Sequence, residues 1–340
     1  MIRYSFDEEL LIMPHEIRFA TFNLFNLAPA GATLYDNLVP LTEAQYDAKL
    51  NWCAQQLDAL DADVIGFQEV FSQASLAEVL ARTHGYRDAQ CVGFDPDPAL
   101  PRLTPSVALV SKLPLASPAL AYRNFPDGVA LPPGSRDSTA FTRPVLHLQI
   151  QLPDQHIVDV LVVHLKSRRP DYRSDDTGDP ALLQAMAHLH ALIRRGTEAV
   201  ALRVLVSKLR HGGGRPCIVL GDFNDTLDSV TTSIVVGADG LPGDELAARM
   251  FDSSQIQLRQ DDLRHLAYSC LHDGHAMTID HILVSEEFHR ASQRSIGEVL
   301  DVVYLNEHLQ QARLDASDHG QVLARIRLYG SAIHDPADQV

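Results

Sequence analysis

Five apolar runs of this chain lie next to residues that can bind a cation or a phosphate. Arg18-Phe19-Ala20-Thr21-Phe22 ends in Asn23, and Val64-Ile65-Gly66-Phe67-Gln68 ends in Glu69. Leu161-Val162-Val163 ends in His164, with Lys166 and Ser167 just beyond. Ile218-Val219-Leu220-Gly221 ends in Asp222, with Asn224 two residues on, and Ser317-Asp318-His319 immediately precedes the last run. Taken singly, these residues have plain readings. An asparagine after a strand is a turn former, a glutamate there is solvated, and Asp280 ahead of His281-Ile282-Leu283-Val284 simply begins a strand. Gly221-Asp222-Phe223-Asn224-Asp225 is more specific. In extended backbone Asp222 and Asn224 face one side and offer a charged oxygen and an amide to a shared ligand. An Asx turn satisfies the same spacing.

Strands and helices must bring these residues together. Runs rich in Val, Ile and Phe, bounded by Gly, Pro, Asp or Asn, predict strands over 18–24, 63–68, 107–111, 145–152, 157–165, 217–221, 279–284 and 321–328. The pair 145–152 and 157–165, joined by Pro153-Asp154-Gln155-His156, reads as an antiparallel hairpin. A helix is expected from Thr42, with Gln45 completing a capping box and Leu50, Cys53, Ala54, Leu57 and Leu60 on one face. Others are expected over 75–83 and 181–210, the last with Gly196 as a candidate break and a stop at Gly212-Gly213-Gly214. Long loops rich in Pro, Gly and Asp fall at 28–41, 94–105, 123–139 and 167–180, and such loops tend to be functional. No linker divides the chain. The expectation is one α/β domain over 14–330, an N-terminal extension over 1–13 and a polar tail over 331–340.

Composition narrows the partners. The 340 residues are 46% hydrophobic and 21% charged, which is globular and excludes a disordered or fibrous protein. Lys plus Arg is 28 against 44 Asp plus Glu, a net charge of −16. That balance disfavours a protein that coats duplex DNA or docks on an anionic membrane, and it suits a cation site. Cys53, Cys91, Cys217 and Cys270 lie far apart with no C-x-x-C pair, so reduced thiols are expected rather than a disulfide framework or a zinc site. The first residues carry no signal-peptide pattern, and no stretch of about 18 apolar residues is free of charge. A cytoplasmic protein without a membrane span or an obligate protein partner is the expectation.

Together the motifs are specific. TFNLFN at 21–26, GFQEVF at 66–71, VVHLKS at 162–167, GDFND at 221–225, TIDHILVS at 278–285 and SDH at 317–319 stand in one order over nearly the whole chain. In this the chain resembles the endonuclease/exonuclease/phosphatase, or DNase I-like, superfamily, and looks closer to bacterial members than to the repair or digestive nucleases. The resemblance implies a four-layer α/β sandwich: two mixed β-sheets packed face to face, with helices on both outer sides. It also implies hydrolysis of a phosphate ester with Mg²⁺ or Mn²⁺. Carried across, Glu69 is the principal metal carboxylate, completed by Asn23 and Asp318. Asp222 orients and deprotonates the attacking water, Asn224 and His164 hydrogen-bond the phosphoryl oxygens, and His319, paired with Asp280, stabilises the transition state or acts as acid/base. The chemistry agrees, since Mg²⁺ takes oxygen ligands and needs no cysteine, and a histidine held by a carboxylate keeps one orientation.

Beyond the motifs, Arg143 begins a strand and is a candidate for reaching a phosphate, a surface role being the alternative. Lys166, Arg168, Arg169 and Arg173 read as a phosphate-gripping loop, but Asp171, Asp175, Asp176 and Asp179 match them one for one. A clamp on a terminal phosphate fits that loop better than a track for a long strand. His272 and His275 are expected to be solvated. The leading expectation is a nuclease, an exonuclease or single-strand endonuclease acting on DNA or RNA. The alternative is a phosphatase or phosphodiesterase of a small or lipid-derived ester such as a nucleotide, inositol phosphate or phospholipid head group.

Overall fold

The apolar runs become the middles of two β-sheets in the computed structural model, which describes residues 15–95, 102–132, 139–173, 177–211, 213–237, 249–259, 267–311 and 313–330. The expected extension over 1–13, the tail over 331–340, Asp175, Asp176, Gly212 and parts of three of the long loops lie outside these residues. The first half holds β1 (Glu16–Leu27), α1 (Glu43–Leu60), β2 (Val64–Val70), α2 (Gln73–Arg82), β3 (Gln90–Gly93), β4 (Ser106–Ser111), β5 (Leu120–Asn124), β6 (Ala140–Gln151) and β7 (Ile157–His164). The second half holds α3 (Pro180–Arg210), β8 (Cys217–Asp222), α4 (Val230–Val236), β9 (Phe251–Asp252), α5 (Ser253–Ile256), β10 (Cys270–His272), β11 (His275–Met277), β12 (Asp280–Val284), β13 (Gly297–Leu305) and β14 (Gln321–Leu328). One sheet runs β13-β14-β1-β2-β4-β3 and the other β5-β6-β7-β8-β12-β9, with β10 and β11 a separate ribbon.

Period-2 alternation decides which layer each side chain enters. On β7, Val160 and Val162 face the core between the sheets, where Phe19, Val64, Leu109 and Leu220 meet them. Leu161 and Val163 face the other way, against Leu202 and Val206 of α3. On the first sheet Ile65 and Phe67 turn outward onto Leu50 and Leu57 of α1 and Val79 of α2. Both faces of each sheet are therefore covered, giving the expected helix-sheet-sheet-helix order. Among the described residues no helix is long and apolar enough to cross a membrane.

Local signals in the sequence set the helix ends. Thr42 and Gln45 form the capping box, with Gln45 N–H donating to Thr42 Oγ1 at 3.3 Å and Thr42 N–H to Gln45 Oε1 at 2.9 Å. α3 does not break at Gly196. A helical glycine costs only about 1 kcal/mol, and side chains flanking it are tied to the rest of the molecule. Arg195 Nε donates to Asp225 at 2.6 Å, and Glu198 accepts from the backbone N–H groups of Thr142 and Lys166, both at 2.8 Å. β6 starts five residues earlier than expected because β5, inside a stretch read partly as loop, pairs with it. β13 escaped the sequence reading because Glu298 and Asp301 interrupt its apolar run. Each is an ion-pair partner across the ladder, Glu298 with Arg327 and Asp301 with Arg325.

Gly221 has φ +149°, and a Cβ there would lie 2.0 Å from the Val163 carbonyl oxygen of β7. Backbone on backbone cannot yield as a side-chain tip can. Gly221→Ala is expected to destabilise the fold by about 3 kcal/mol, read by chemical denaturation; a transition coincident with wild type would show that the strands separate at no cost.

Candidate active site

Parallel pairs and antiparallel neighbours together create one polar edge. β1 and β2 run parallel, as do β7 and β8, so their C-terminal ends lie at the same side of their sheets. β12 and β14 run against them and begin there. Register then brings His164, Asp222 and Asp280 side by side on β7, β8 and β12, with His164 opposite Asp222 and Asp222 opposite Asp280.

The first sheet contributes through a double irregularity. After Asn23 the register of β1 against β2 shifts, and β2 against β4 shifts between Phe67 and Val70. Phe25, Asn26 and Glu69 take φ of 50°, 61° and 58°, a region that costs a non-glycine residue of order 1–3 kcal/mol. The result is local and specific: Asn26 N–H donates to Glu69 Oε2 at 3.0 Å. Glu69 is thus aimed by a bulge rather than by a regular strand end, and it is half-buried.

Asp222 joins the two sheets. Its Oδ2 accepts from Asn23 Nδ2 at 3.1 Å, and its Oδ1 accepts from the Asn224 backbone N–H at 2.8 Å. That second bond, with Asn224 at φ 55°, replaces the extended geometry expected for the pair by the Asx turn. The Asn224 amide donates instead to the Leu165 carbonyl at 3.0 Å, which leaves one amide hydrogen for a ligand. His164 Nε2 lies 3.5 Å from Asp222 Oδ2, while its Nδ1 is buried without a partner. His319 Nδ1 pairs with Asp280 Oδ2 at 2.8 Å, and its Nε2 lies 3.9 Å from both Asp222 Oδ2 and Asp318 Oδ1. Ser317 Oγ donates to the Asn23 carbonyl at 2.6 Å and accepts from His319 N–H at 3.0 Å, fixing the Ser-Asp-His triplet to β1. Ser269 Oγ does the same for Asp280 by accepting its N–H at 3.1 Å.

Burial and neighbouring charge divide the titratable groups. Burial, with the Asp280 charge beside it, pushes the Asp222 carboxyl up to about 7. Burial opposes the charged form of His319, but Asp280, Asp222 and Asp318 outweigh it and hold its pKa well above the usual value. Burial, then Arg143 and His319, drive His164 well below it. One imidazole is therefore cationic and the other neutral, about a carboxyl poised between its two states.

The cations singled out from the sequence fare differently. Arg143 Nη1 donates to the Leu165 carbonyl at 3.0 Å beside the site, and its Nε is buried without a partner. Lys166 Nζ donates to the carbonyls of Ser167 and Arg169, at 3.1 and 3.0 Å. Arg168 clasps Asp225 Oδ1 with Nε at 3.0 Å and Nη2 at 2.5 Å. Asp225 also takes Thr231 Oγ1 at 2.5 Å besides Arg195, so this pairing braces the loop after β8. His272 and His275 are exposed on the β10–β11 ribbon. Asp318 is 56% exposed at the rim. Sequence reasoning missed Asn26, whose Oδ1 is buried without a partner next to Glu69. It also missed Lys49, buried on α1. The signal for Lys49 was present, a lysine one position before Leu50 on the apolar face of the helix.

A hard divalent cation asks for oxygen donors, and the Glu69 side of the site supplies them. Glu69, Asn23, Asn26 and Asp318 all offer side-chain oxygens; Asn26 Oδ1 is buried without a partner, while Asn23 Oδ1 already accepts from the Phe25 N–H at 3.0 Å. Asp222, Asp280 and His319 also place one ligand atom each within 4.8 Å of one another. There the 2.8 Å His319–Asp280 bond engages one atom of each group and leaves Asp280 Oδ1 buried without a partner. The all-oxygen set on the Glu69 side suits a hard cation better than a set that includes an imidazole.

Face-to-face mixed sheets that collect acid, amide and imidazole groups along one edge define the DNase I-like class. Residues 20–319 match the profile of the Endonuclease/Exonuclease/phosphatase family, and the chain belongs to that family. Its members are hydrolases of phosphate esters. Solved structures agree on the fold. A family member from Bacteroides vulgatus aligns with TM-score 0.56 and 18% identity over 93% of this chain and 100% of its own. The human Nocturnin catalytic domain with bound sulfate aligns with TM-score 0.56 and 15% identity over 92% and 95%. A mannosyl-6-phosphatase of Bacteroides thetaiotaomicron aligns with TM-score 0.54 and 17% identity over 91% and 99%. Comparison with curated protein sequences finds no match.

Proposed function

We propose that this protein is a divalent-metal-dependent phosphoesterase that hydrolyses a small phosphate ester, or the end unit of a longer one, by in-line attack of water. The observation that carries this reading is the buried Asp222, whose Oδ2 accepts from Asn23 Nδ2 at 3.1 Å and lies 3.5 Å from His164 Nε2 and 3.9 Å from His319 Nε2. Glu69, Asn23 and Asp318, with Asn26 added by the bulge, hold the cation. A bound divalent ion supplies a Lewis acid and a template for the phosphoryl oxygens. Asp222 orients water and takes its proton as the new P–O bond forms. Asn224, through its remaining amide hydrogen, and His164, through its one ring N–H, bond the phosphoryl oxygens as charge develops. His319, held by Asp280, gives its proton to the leaving oxygen as the old P–O bond breaks.

The small-ester preference rests on the engaged cations. Lys166 and Arg168, which would grip a polyanion, are bound to loop carbonyls and to Asp225. The net charge of −16 works in the same direction. Nuclease action remains the second reading, supported by the order and form of the six motifs. The deciding experiment uses metal-stripped protein with Mg²⁺ or Mn²⁺ restored. Its substrates are aryl phosphates, sugar phosphates, nucleotides, and single-stranded and duplex DNA, with Asp222→Asn as the blank. Metal-dependent turnover of the small esters supports the proposal. Turnover of DNA alone moves the assignment to nuclease, and no turnover overturns both.

Glu69→Gln keeps the shape of the side chain and removes its charge. The Mg²⁺ concentration for half-maximal activity is expected to rise at least about tenfold; an unchanged metal titration would place the cation elsewhere.

A further inference from the structure

Loop 28–41 folds over the end of β1 and encloses a cavity of about 420 Å³. Its walls are mainly apolar, Leu34, Leu38 and Leu314 among them, with the amides of Asn26, Asn37 and Gln45 interspersed. Leu314 stands 82% exposed at the rim. The volume falls in the range of small-molecule sites and is far too small for a folded polymer.

One wall residue carries a charge. Lys49 is only 2% exposed, yet among the described residues nothing hydrogen-bonds or ion-pairs with it. Its ammonium lies 5.7 Å from the Phe25 ring centroid. The carboxylates of Asp318, Glu69 and Asp315 reach it only through space, none close enough to pair, so the ammonium keeps its hydrogen-bonding capacity for a ligand in the cavity. Burial lowers its pKa, and Cys53, Asp318 and Glu69 offset part of that effect through space. Asn26 lines the same cavity while its N–H holds Glu69, so the cavity and the proposed metal ligands share a wall.

We propose that this cavity is the subsite for the organic part of the substrate, an aromatic or similarly apolar unit carrying a carboxylate or other anionic oxygen that Lys49 receives. The proposal rests on the phosphoesterase reading for the position of the phosphoryl group, and it adds the chemical class of what that group is attached to. Apolar walls select the ring or chain. A single ammonium in a low-dielectric setting selects an anionic oxygen over a neutral or cationic substituent. Lys49 could serve merely as a counter-charge for Glu69 and Asp318. In that case its removal would change affinity for the metal and for every phosphorus ligand alike.

Calorimetry with the Mg²⁺-loaded full chain separates the two, using methylphosphonate, phenylphosphonate, para-carboxyphenylphosphonate and the phosphorus-free probe benzoate. Wild type is expected to bind the carboxyphenyl ligand about tenfold tighter than the phenyl one. Lys49→Met is expected to abolish that preference and benzoate binding while leaving methylphosphonate within about twofold. Leu314→Ser, an exposed change that does not threaten folding, is expected to weaken both aryl ligands about threefold and methylphosphonate not at all. Equal affinity of wild type for the two aryl ligands overturns the proposal without any variant, and so does a uniform loss across all ligands in Lys49→Met. Benzoate binding that survives alongside absent ester hydrolysis and absent methylphosphonate binding would retain the cavity and reject the phosphoesterase reading. Lost benzoate binding with retained hydrolysis would do the reverse.

Discussion

Asp222→Asn is expected to lower kcat by about 10²–10⁴-fold. The replacement is isosteric and keeps an oxygen to accept from the Asn224 N–H; it gives up the bond from Asn23 Nδ2 and, decisively for the rate, the ability to take a proton from water. In wild type kcat/KM should rise with pH through about 7 as Asp222 ionises, and the residual rate of the variant should lack that limb. Folding should not suffer. The carboxyl's folded pKa lies above its unfolded value of about 4, so the folded state holds more protons and wild type loses stability as pH rises from about 4 to about 7. The amide carries no such penalty, and the variant should be at least as stable as wild type above neutrality by denaturant titration. A folded variant with wild-type turnover would remove Asp222 from the mechanism.

His319→Gln should lower kcat by about 10²–10³-fold with KM nearly unchanged. Cationic His319 acts where charge appears on the leaving oxygen, and it reaches that charge only because Asp280 and Ser317 hold it from two sides. Asp280→Asn should reproduce much of the loss, and the double variant should be little worse than either single one, because the two act as a unit. Glutamine is the better probe than alanine. Asp280 Oδ1 is already without a partner, and emptying the position would leave the whole carboxylate buried and unpaired at a cost of about 3–5 kcal/mol. A raised KM with unchanged kcat would assign His319 to substrate binding instead.

Much of the site was legible because chain direction is encoded in hydrophobic periodicity. A run such as Ile218-Val219-Leu220-Gly221 is too apolar for anything but a buried strand, and the residues after it must emerge at a sheet edge. Asn23, Glu69, His164 and Asp222 are singled out that way, and His319 by its place ahead of the last strand, whereas the pairing of Asp280 with His319 comes from the family resemblance. The capping box at Thr42 was legible for a similar reason, since both partners lie within one turn.

Three features were not legible, and each depends on residues far apart in the chain. The bulges at Phe25, Asn26 and Glu69 exist because two neighbouring strands lose register together, which no single run records. Lys166 and Arg168 are expected from the sequence to be balanced by the aspartates of their own loop, whereas the fold places them against loop carbonyls and Asp225. Lys49 stands beside the apolar face of its helix in sequence, but that it lines a cavity depends on loop 28–41 lying against that helix.

By itself the sequence determined the strands, their polar ends and the chemical kinds of group available. Tertiary structure alone decided which charges are spent inside the protein and which remain to meet a ligand. Strand propensity and periodicity act over a few residues, whereas charge pairing and burial depend on distances that only the closed sandwich and its loops define.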